Sequence, residues 1–561
     1  MKKKFLPALL CAATLACSLA ACGETANASG GETAQSIAFA FTDSGITASG
    51  SRTDGYEIDG TALTITDAGT YTLSGTCADG SVTVKKGTEG VTLVLNGLSL
   101  TSADTAPISC NKSTEVTILA ADGTTNTLTD AAENNDDAYP DNENAENAVL
   151  KCKDGSTVTL GGTGTLNIVA NGKNGIKSGA TTEEEGEASL TIRDLTLNIS
   201  APVNDAVNAE QLLNIESGTI TVSAADDALH CDLVMNVGAD GTDGPAINIT
   251  ECYEGLEAAE LNIFSGDIDI NASDDCMNAA NSGLSGYDFS MTISGGTINA
   301  YSSSGDGFDS NGDLTITGGT VAVWAANRAD NQPLDADGTL TITGGTVIAA
   351  GGSSGMGVSI SAEQPFATFG SSSMGGFGGG FPGTPGERPD AAQSTDTAAQ
   401  SGAPAVPDMT QKPEKPADGE LPDGAAFGDM SGTGTASIAK GEAFTIRDAS
   451  GNVVYSGTAL CDTNYVFFSS SDLTDGGSYT LSTDSADVET ASAQTGTVSS
   501  GFAGGMGGQR PGGDGSDRTP PEKPDGEAPD FGSGQMPPDR PSSSGDGAGS
   551  GAPAEAVAQK S

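Results

Sequence analysis

Basic residues are scarce in this 561-residue chain: 23 Lys and Arg stand against 75 Asp and Glu, a formal net charge of -52 at pH 7. Nucleic acid is itself a polyanion, so no nucleic-acid partner is expected for such a surface. Divalent cations suit it well. Aromatic residues are only 5% of the chain, too few for one thick globular core. Thin coils that bury a few aliphatic side chains against their neighbours fit better. Helical periodicity is absent throughout. The single histidine, His230, and ten cysteines without a paired CxxC argue against a zinc site and a disulfide framework. Seven cysteines follow position 22, and several stand where sister repeats carry Ala, Gly or Ser, so they read as small buried spacers. Beyond the N-terminus no apolar run is long enough to span a bilayer.

What is present begins with a targeting segment at 1–22. Lys2, Lys3 and Lys4 are followed by an apolar run and by Leu19-Ala-Ala-Cys22. The ending resembles the lipobox of bacterial lipoproteins. That resemblance implies lipidation of Cys22 and an anchor on the extracellular face of the cell membrane, the one membrane contact expected. Ordinary secretion is the alternative.

The middle of the chain repeats one phrase, a strand, a Gly-Gly-Thr turn, a second strand and an acidic corner. Its clearest copies start at Met291-Thr-Ile-Ser-Gly-Gly-Thr, Leu314-Thr-Ile-Thr-Gly-Gly-Thr and Leu340-Thr-Ile-Thr-Gly-Gly-Thr. Each corner keeps an apolar residue, at Ile176, Val207, Leu229, Leu256, Met277, Phe308 and Leu334, spaced by 21 to 31 residues. Propeller blades need longer repeats. Strand, turn, strand and corner without helices predict an all-β, right-handed parallel β-helix (a solenoid) with a small C-terminal β cap and long disordered segments. The expected organisation is a tether at 23–50, the repeat domain at 51–360, a Gly/Met/Pro-rich disordered insertion at 361–435, a small β module or end cap at 436–485 and a disordered tail at 486–561. An acidic stretch at 130–147 interrupts the repeat domain. It reads as a solvated loop or, alternatively, a calcium loop.

Stacking of turns makes each sequence column a spatial row. The second corner position holds Asp205, Asp227, Glu254, Asp275 and Asp306, and the fifth holds Asn208, His230, Glu257, Asn278, Asp309 and Asp335. Carboxylates about 4.8 Å apart repel unless cations lie between them. Asp205, Asp226, Asp227, Glu254, Asp274, Asp275, Asp306 and Asp309 are therefore candidate calcium ligands, although Asp also favours tight turns on its own account. Tyr301 and Trp324 fall at one outward position of adjacent turns. They read as a sugar-stacking pair, or as rings covered by a loop or by each other. No catalytic residue is assigned, because the basic groups near the corners, Lys173, Lys177, Arg193 and Arg328, have no recognisable catalytic company.

The order Gly69-Thr-Tyr-Thr-Leu-Ser-Gly-Thr76, Val94-Leu-Asn-Gly-Leu98 and Gly161-Gly-Thr-Gly-Thr-Leu, together with the Asp-Gly corners, resembles a bacterial carbohydrate-binding domain family once described as a domain of unknown function. Its members are surface lipoproteins or secreted proteins with a right-handed parallel β-helix. The resemblance implies calcium at the acidic corners and noncatalytic binding of cellulose-like or acidic, pectin-like polysaccharide at the cell surface. A calcium-dependent lyase on acidic glycans, or a surface adhesin or scaffold, are the alternatives. Asn331-Gln-Pro-Leu-Asp departs from the Asp-Gly corner, and the long Gly/Met/Pro insertion separates the repeats from their cap.

Overall fold

In runs such as Thr157–Gly162 and Glu115–Ala120, apolar residues alternate with Thr and charged residues, and the alternation becomes extended backbone with one face inward. Val158, Leu160, Val116 and Ile118 are buried while the intervening residues stay partly exposed. The computed structural model describes residues 37–284, 286–326, 331–351, 358–370 and 438–500; among these, every regular element is a strand. Cys22 and the rest of the signal segment, Arg328, residues 371–435 of the insertion and the tail from residue 501 lie outside the described residues.

Through the repeats, strands pair in parallel with their counterparts one turn further on, three elements along at first and two where one long strand such as Leu229–Val237 serves two stacks. Thr165–Val169 joins Thr196–Ala201 and then Thr219–Ala224. Thr157–Gly162 joins Ser189–Ile192 and then Leu212–Ile215. Asn174–Ser178 joins Val207–Ala209 and then Leu229–Val237. The chain thus visits three stacks in the same order on each pass, and all three belong to one 34-stranded sheet. Register keeps like beside like: Leu166, Leu197, Ile220, Ile247, Ile268, Ile298, Val321 and Val347 form one continuous apolar file. Each is buried, and full burial of such a side chain contributes about 1.5–3 kcal/mol of transfer free energy.

The two glycines of each turn do different work. The second adopts φ of 87° at Gly296, 83° at Gly319 and 84° at Gly345, a region costly for residues with a Cβ. The first needs room rather than rotation. A Cβ on Gly295, Gly318 or Gly344 would lie 2.2–2.3 Å from a carbonyl oxygen of the preceding turn.

Both ends depart from expectation. The tether proposed for 23–50 gives way at Ile37 to a hairpin of Ile37–Thr42 and Gly45–Gly50, and the first of these strands also pairs in parallel with Gly69–Cys77. Ile37, Phe39 and Phe41 are buried there, because the open first turn needs an apolar cover. At the other end, Val358–Phe369 extends the ordered part into the segment expected to be disordered. It pairs antiparallel with Tyr465–Ser469 and Gln494–Ser500. Tyr465–Ser469 also pairs antiparallel with Thr346–Gly351 and so covers the edge of the last turn. A four-stranded antiparallel sheet, Val453–Thr458, Ala443–Asp448, Ser478–Thr483 and Asp487–Ser492, completes the C-terminal part, which is ordered beyond residue 485 to residue 500.

The insertion at 130–147 is pinned from within rather than simply solvated. Asn134 is fully buried; its amide donates to Asp130 Oδ2 and to the Ala148 carbonyl at 2.9 Å each, and its Oδ1 accepts from the Glu146 and Asn147 amides. Cys77, Cys110, Cys152, Cys231, Cys252, Cys276 and Cys461 are all buried and unbridged.

Candidate functional site

The acidic corners sit on the short strands of the third stack. Val207–Ala209, Leu229–Val237, Leu256–Ile263, Met277–Ala279 and Phe308–Ser310 place Val207, Leu229, Leu256, Met277 and Phe308 in one buried file. The next residue of each strand forms a parallel file of Asn208, His230, Glu257, Asn278 and Asp309. An isolated bridge between Phe308 and Leu334 carries the file on to the turn of Asp335. Three residues before each member stand Asp205, Asp227, Glu254, Asp275 and Asp306. Alternation and turn length alone set this placement, so the two columns read in the sequence are two neighbouring rows in space.

Three groups bring metal-ligand atoms within 4.8 Å of one another: Asp205 with Asp226 and Asp227, Asp227 with His230 and Glu257, and Asp306 with Asp309 and Asp335. Glu254 accepts at 3.0 Å from the Asn278 amide, and Asp275 Oδ1 accepts at 2.6 Å from the Asp306 backbone amide. Asp274 joins none of these groups among the described residues. It lies beside the Tyr253 hydroxyl, whose pKa it helps to push up to about 12. Asp335, Glu257 and Asn278 stand in the fifth-position column, but a column does not tell which oxygens meet across a turn, and so the sequence does not mark them as ligands.

Asn278 is 8% exposed; its amide nitrogen is used, yet its Oδ1 is buried with no hydrogen-bond partner among the described residues. An orphaned carbonyl oxygen of this kind costs about 1–3 kcal/mol. It stands in register between Glu257 and Asp309.

Electrostatics make the row short of positive charge. Burial, then repulsion from neighbouring carboxylates, pushes Glu254 up to about 9 and Asp306 up to about 8. Asp275 and Asp227 reach about 7, and Asp309 about 6, again with burial as the largest cause. His230 sits among three carboxylates, with Nδ1 2.6 Å from Glu257 Oε2 and 3.1 Å from Asp227 Oδ2, and Nε2 2.9 Å from Asp232 Oδ1. Burial opposes the imidazolium, but those hydrogen bonds outweigh it and hold His230 protonated well above its ordinary range. One imidazolium cannot neutralise so many carboxylates. The basic residues near the corners are already engaged: Lys173 pairs with Asp137, Lys177 lies 3.5 Å from Glu210, and Arg193 lies 3.7 Å from Glu216.

Tyr301 and Trp324 stand side by side in register, as expected. The exposed pair is nevertheless corrected: Trp324 is only 2% exposed, because the C-terminal sheet lies over it and Phe444 meets it edge-on at 5.9 Å. The last turns carry Ala322, Trp324, Ile348 and Ala350 outward, an apolar patch that requires such a cover. Tyr301 remains half-buried, with Lys440 Nζ 5.1 Å from its ring centroid.

Residues 59–355 match the family described as "Carbohydrate-binding domain-containing protein". A relative of that description from Acetivibrio thermocellus (strain ATCC 27405) is 38% identical over 124 residues, which is 22% of this chain and 42% of the relative. The aligned part therefore spans less than half of that relative's length. Among solved structures, the polysaccharide lyase-like protein from C. thermocellum, a gadolinium derivative, is similar at 25% identity and a TM-score of 0.32, over 55% of this chain and 96% of that one. The match over more than half of its length shows that this chain belongs to the carbohydrate-binding domain family.

Proposed function

We propose that the chain is a right-handed parallel β-helix that binds polysaccharide without cleaving it, that calcium occupies its acidic row, and that a lipid on Cys22 holds it at the outer face of the bacterial membrane. Family membership supports the polysaccharide. Three parallel stacks visited in constant order support the solenoid. The observation that carries the calcium is the buried Asn278 Oδ1, without a partner among the described residues and set between Glu257 and Asp309 in a row of carboxylates raised first by burial and then by mutual repulsion. Calcium takes six to eight oxygens in flexible geometry, and Asp306, Asp309 and Asp335 offer an all-oxygen group. Around His230, the imidazolium itself balances Asp227 and Glu257. Calcium bound here neutralises the row and stiffens the stacked corners.

The test is a glycan array probed with the full chain in calcium and in EDTA, beside calcium titration of Asp306→Ala/Asp309→Ala. Glycan binding that falls in EDTA, and fewer bound ions in the variant, are expected. Calcium-dependent growth of ultraviolet absorbance on polygalacturonate would instead mean cleavage to an unsaturated product and overturn the noncatalytic reading.

A further inference from the structure

All seven described cysteines are buried, but stacking does not treat them alike. One inward file passes through Val84, Cys110, Cys152, Ser178 and Ala209 on successive turns, so Cys110 and Cys152 are direct neighbours across a parallel pair of strands. Cys77 instead faces Leu100, Cys252 faces Ala272, and Cys231 stands between Ala209 and Ala258. Among the described residues no other two cysteines meet in register. This is one candidate link, not the framework that the cysteine spacing argues against.

Register gives this pair the geometry of a cross-link. Stacked strands lie about 4.8 Å apart, inside the range of about 4.4–6.8 Å between the Cα atoms of a disulfide, and side chains in register leave the two strands on the same face. Both side chains are 0% exposed, and the Lys153 amide donates to the Cys110 carbonyl at 2.9 Å, which ties the two turns together beside the pair. The two thiols already share a hydrogen bond; that bond first, and burial second, push the Cys110 thiol well above its ordinary range. Between the two positions lies the whole acidic insertion at 130–147, with Asn134 buried inside it. A bond from Cys110 to Cys152 closes that excursion at its base, and closure of so long a loop restricts the unfolded chain.

We propose that Cys110 and Cys152 are a redox site, oxidised to a disulfide staple between two turns while the chain folds outside the cytoplasm. The inference goes beyond the function proposed above and takes from it only the export of the chain. The oxidant is itself a disulfide, of the kind that oxidising compartments supply. One cysteine thiolate attacks a sulfur of that oxidant, whose S–S bond breaks and whose leaving sulfur takes up a proton. The second cysteine thiolate then attacks the mixed disulfide, which forms the Cys110–Cys152 bond and releases the other half of the oxidant as a thiol. The two cysteines lose two protons and two electrons, and the oxidant gains them. Thiolate is the nucleophile in both steps, and the folded pair is sealed from solvent with Cys110 held protonated, so exchange belongs to the chain before its turns close. Once folded, the pair keeps the state in which it folded. The other five cysteines have no partner in register and stay thiols.

The experiment folds the full chain from the reduced, unfolded state in an excess of oxidised glutathione, and in a second arm gives oxidised glutathione only after folding under reducing conditions. A third preparation recovers the chain from the periplasm of an expression host, where folding meets the host's own oxidant. Each is unfolded in N-ethylmaleimide, digested and weighed. A link between the peptides of Cys110 and Cys152, two hydrogens lighter than the thiols, is expected in the first and third preparations, with Cys77, Cys231, Cys252, Cys276 and Cys461 alkylated. Oxidation in the second arm should be slower by about tenfold or more, because the pair must wait for local opening. The linked chain should melt on the order of 5 °C above the reduced one, through restriction of the unfolded state. Cys110→Ala/Cys152→Ala, a substitution that Ala209 already makes in the same file, should melt alike with and without dithiothreitol. Alkylation of both cysteines after oxidising folding in either preparation overturns the proposal. So does a Cys110–Cys152 link no more abundant than links among the other thiols, or a dithiothreitol effect on melting that persists in the double variant. Oxidant is supplied in the first arm, so that arm tests the pair itself and not the export of the chain.

Discussion

Stripping cations from the acidic row should make stability fall as pH rises, the reverse of what ordinary surface carboxylates do. Asp275 is pushed from 3.8 to about 7 by burial first, with Asp309, Asp274 and Asp335 adding repulsion. A folded-state pKa above the unfolded one means stability that is fully present below about pH 4 and lost as pH climbs through about 7. At about 1.4 kcal/mol per pH unit, ionising this one partly buried group costs about 4 kcal/mol. Glu254, Asp306 and Asp227 move in the same direction, but neighbouring groups interact, so their costs do not simply add. For a folded part of this size 4 kcal/mol corresponds to a melting midpoint lower by on the order of 5 °C. The assay is thermal melting in EDTA at about pH 4.5 and about pH 8, beside the same pair in saturating calcium, which at a thousandfold excess over its dissociation constant adds about 4 kcal/mol. The midpoint should drop with pH in EDTA and hold level in calcium. Asp275→Asn should recover part of the loss at the higher pH, and added KCl, which screens exposed charge far better than buried charge, should not. A midpoint in EDTA that stays flat or rises with pH, or an Asn variant that melts like wild type, would refute the argument.

Asn134→Ala should destabilise the chain by about 3 kcal/mol, since it removes the donor to Asp130 Oδ2 and the acceptor of the Glu146 and Asn147 amides together; chemical denaturation measures it. Gly318→Ala should cost at least as much as Gly319→Ala, because the new Cβ meets the Ser294 carbonyl at 2.2 Å in the first case and a φ of 83° in the second; parallel melts of the two variants would show the order. Phe444→Ala should weaken the C-terminal cover by about 3–5 kcal/mol and open Trp324 to acrylamide quenching, whereas a quenching constant equal to that of wild type would mean the sheet does not shield it.

Period-two alternation, the Gly-Gly-Thr turn and the spacing of Val207, Leu229, Leu256, Met277 and Phe308 made the strands, their order and the apolar file legible without coordinates, because each is a local or strictly periodic property. The same periodicity placed Tyr301 beside Trp324 and the corner carboxylates in rows. It said nothing of what lies across from an outward residue. Trp324 is buried by a sheet that begins more than a hundred residues later, and the apolar run at Ile37, Phe39 and Phe41 reads as a strand only once an open first turn needs covering. The orphaned Asn278 oxygen, the three carboxylates around His230 and the Cys110–Cys152 pair all depend on which atoms meet between turns. Sequence by itself determined the repeat and the charge of this protein, since backbone geometry converts period into stacking. Tertiary structure alone decided which of those charges are desolvated together and which aromatic rings remain open to a ligand, because burial and repulsion act between residues that only folding brings near.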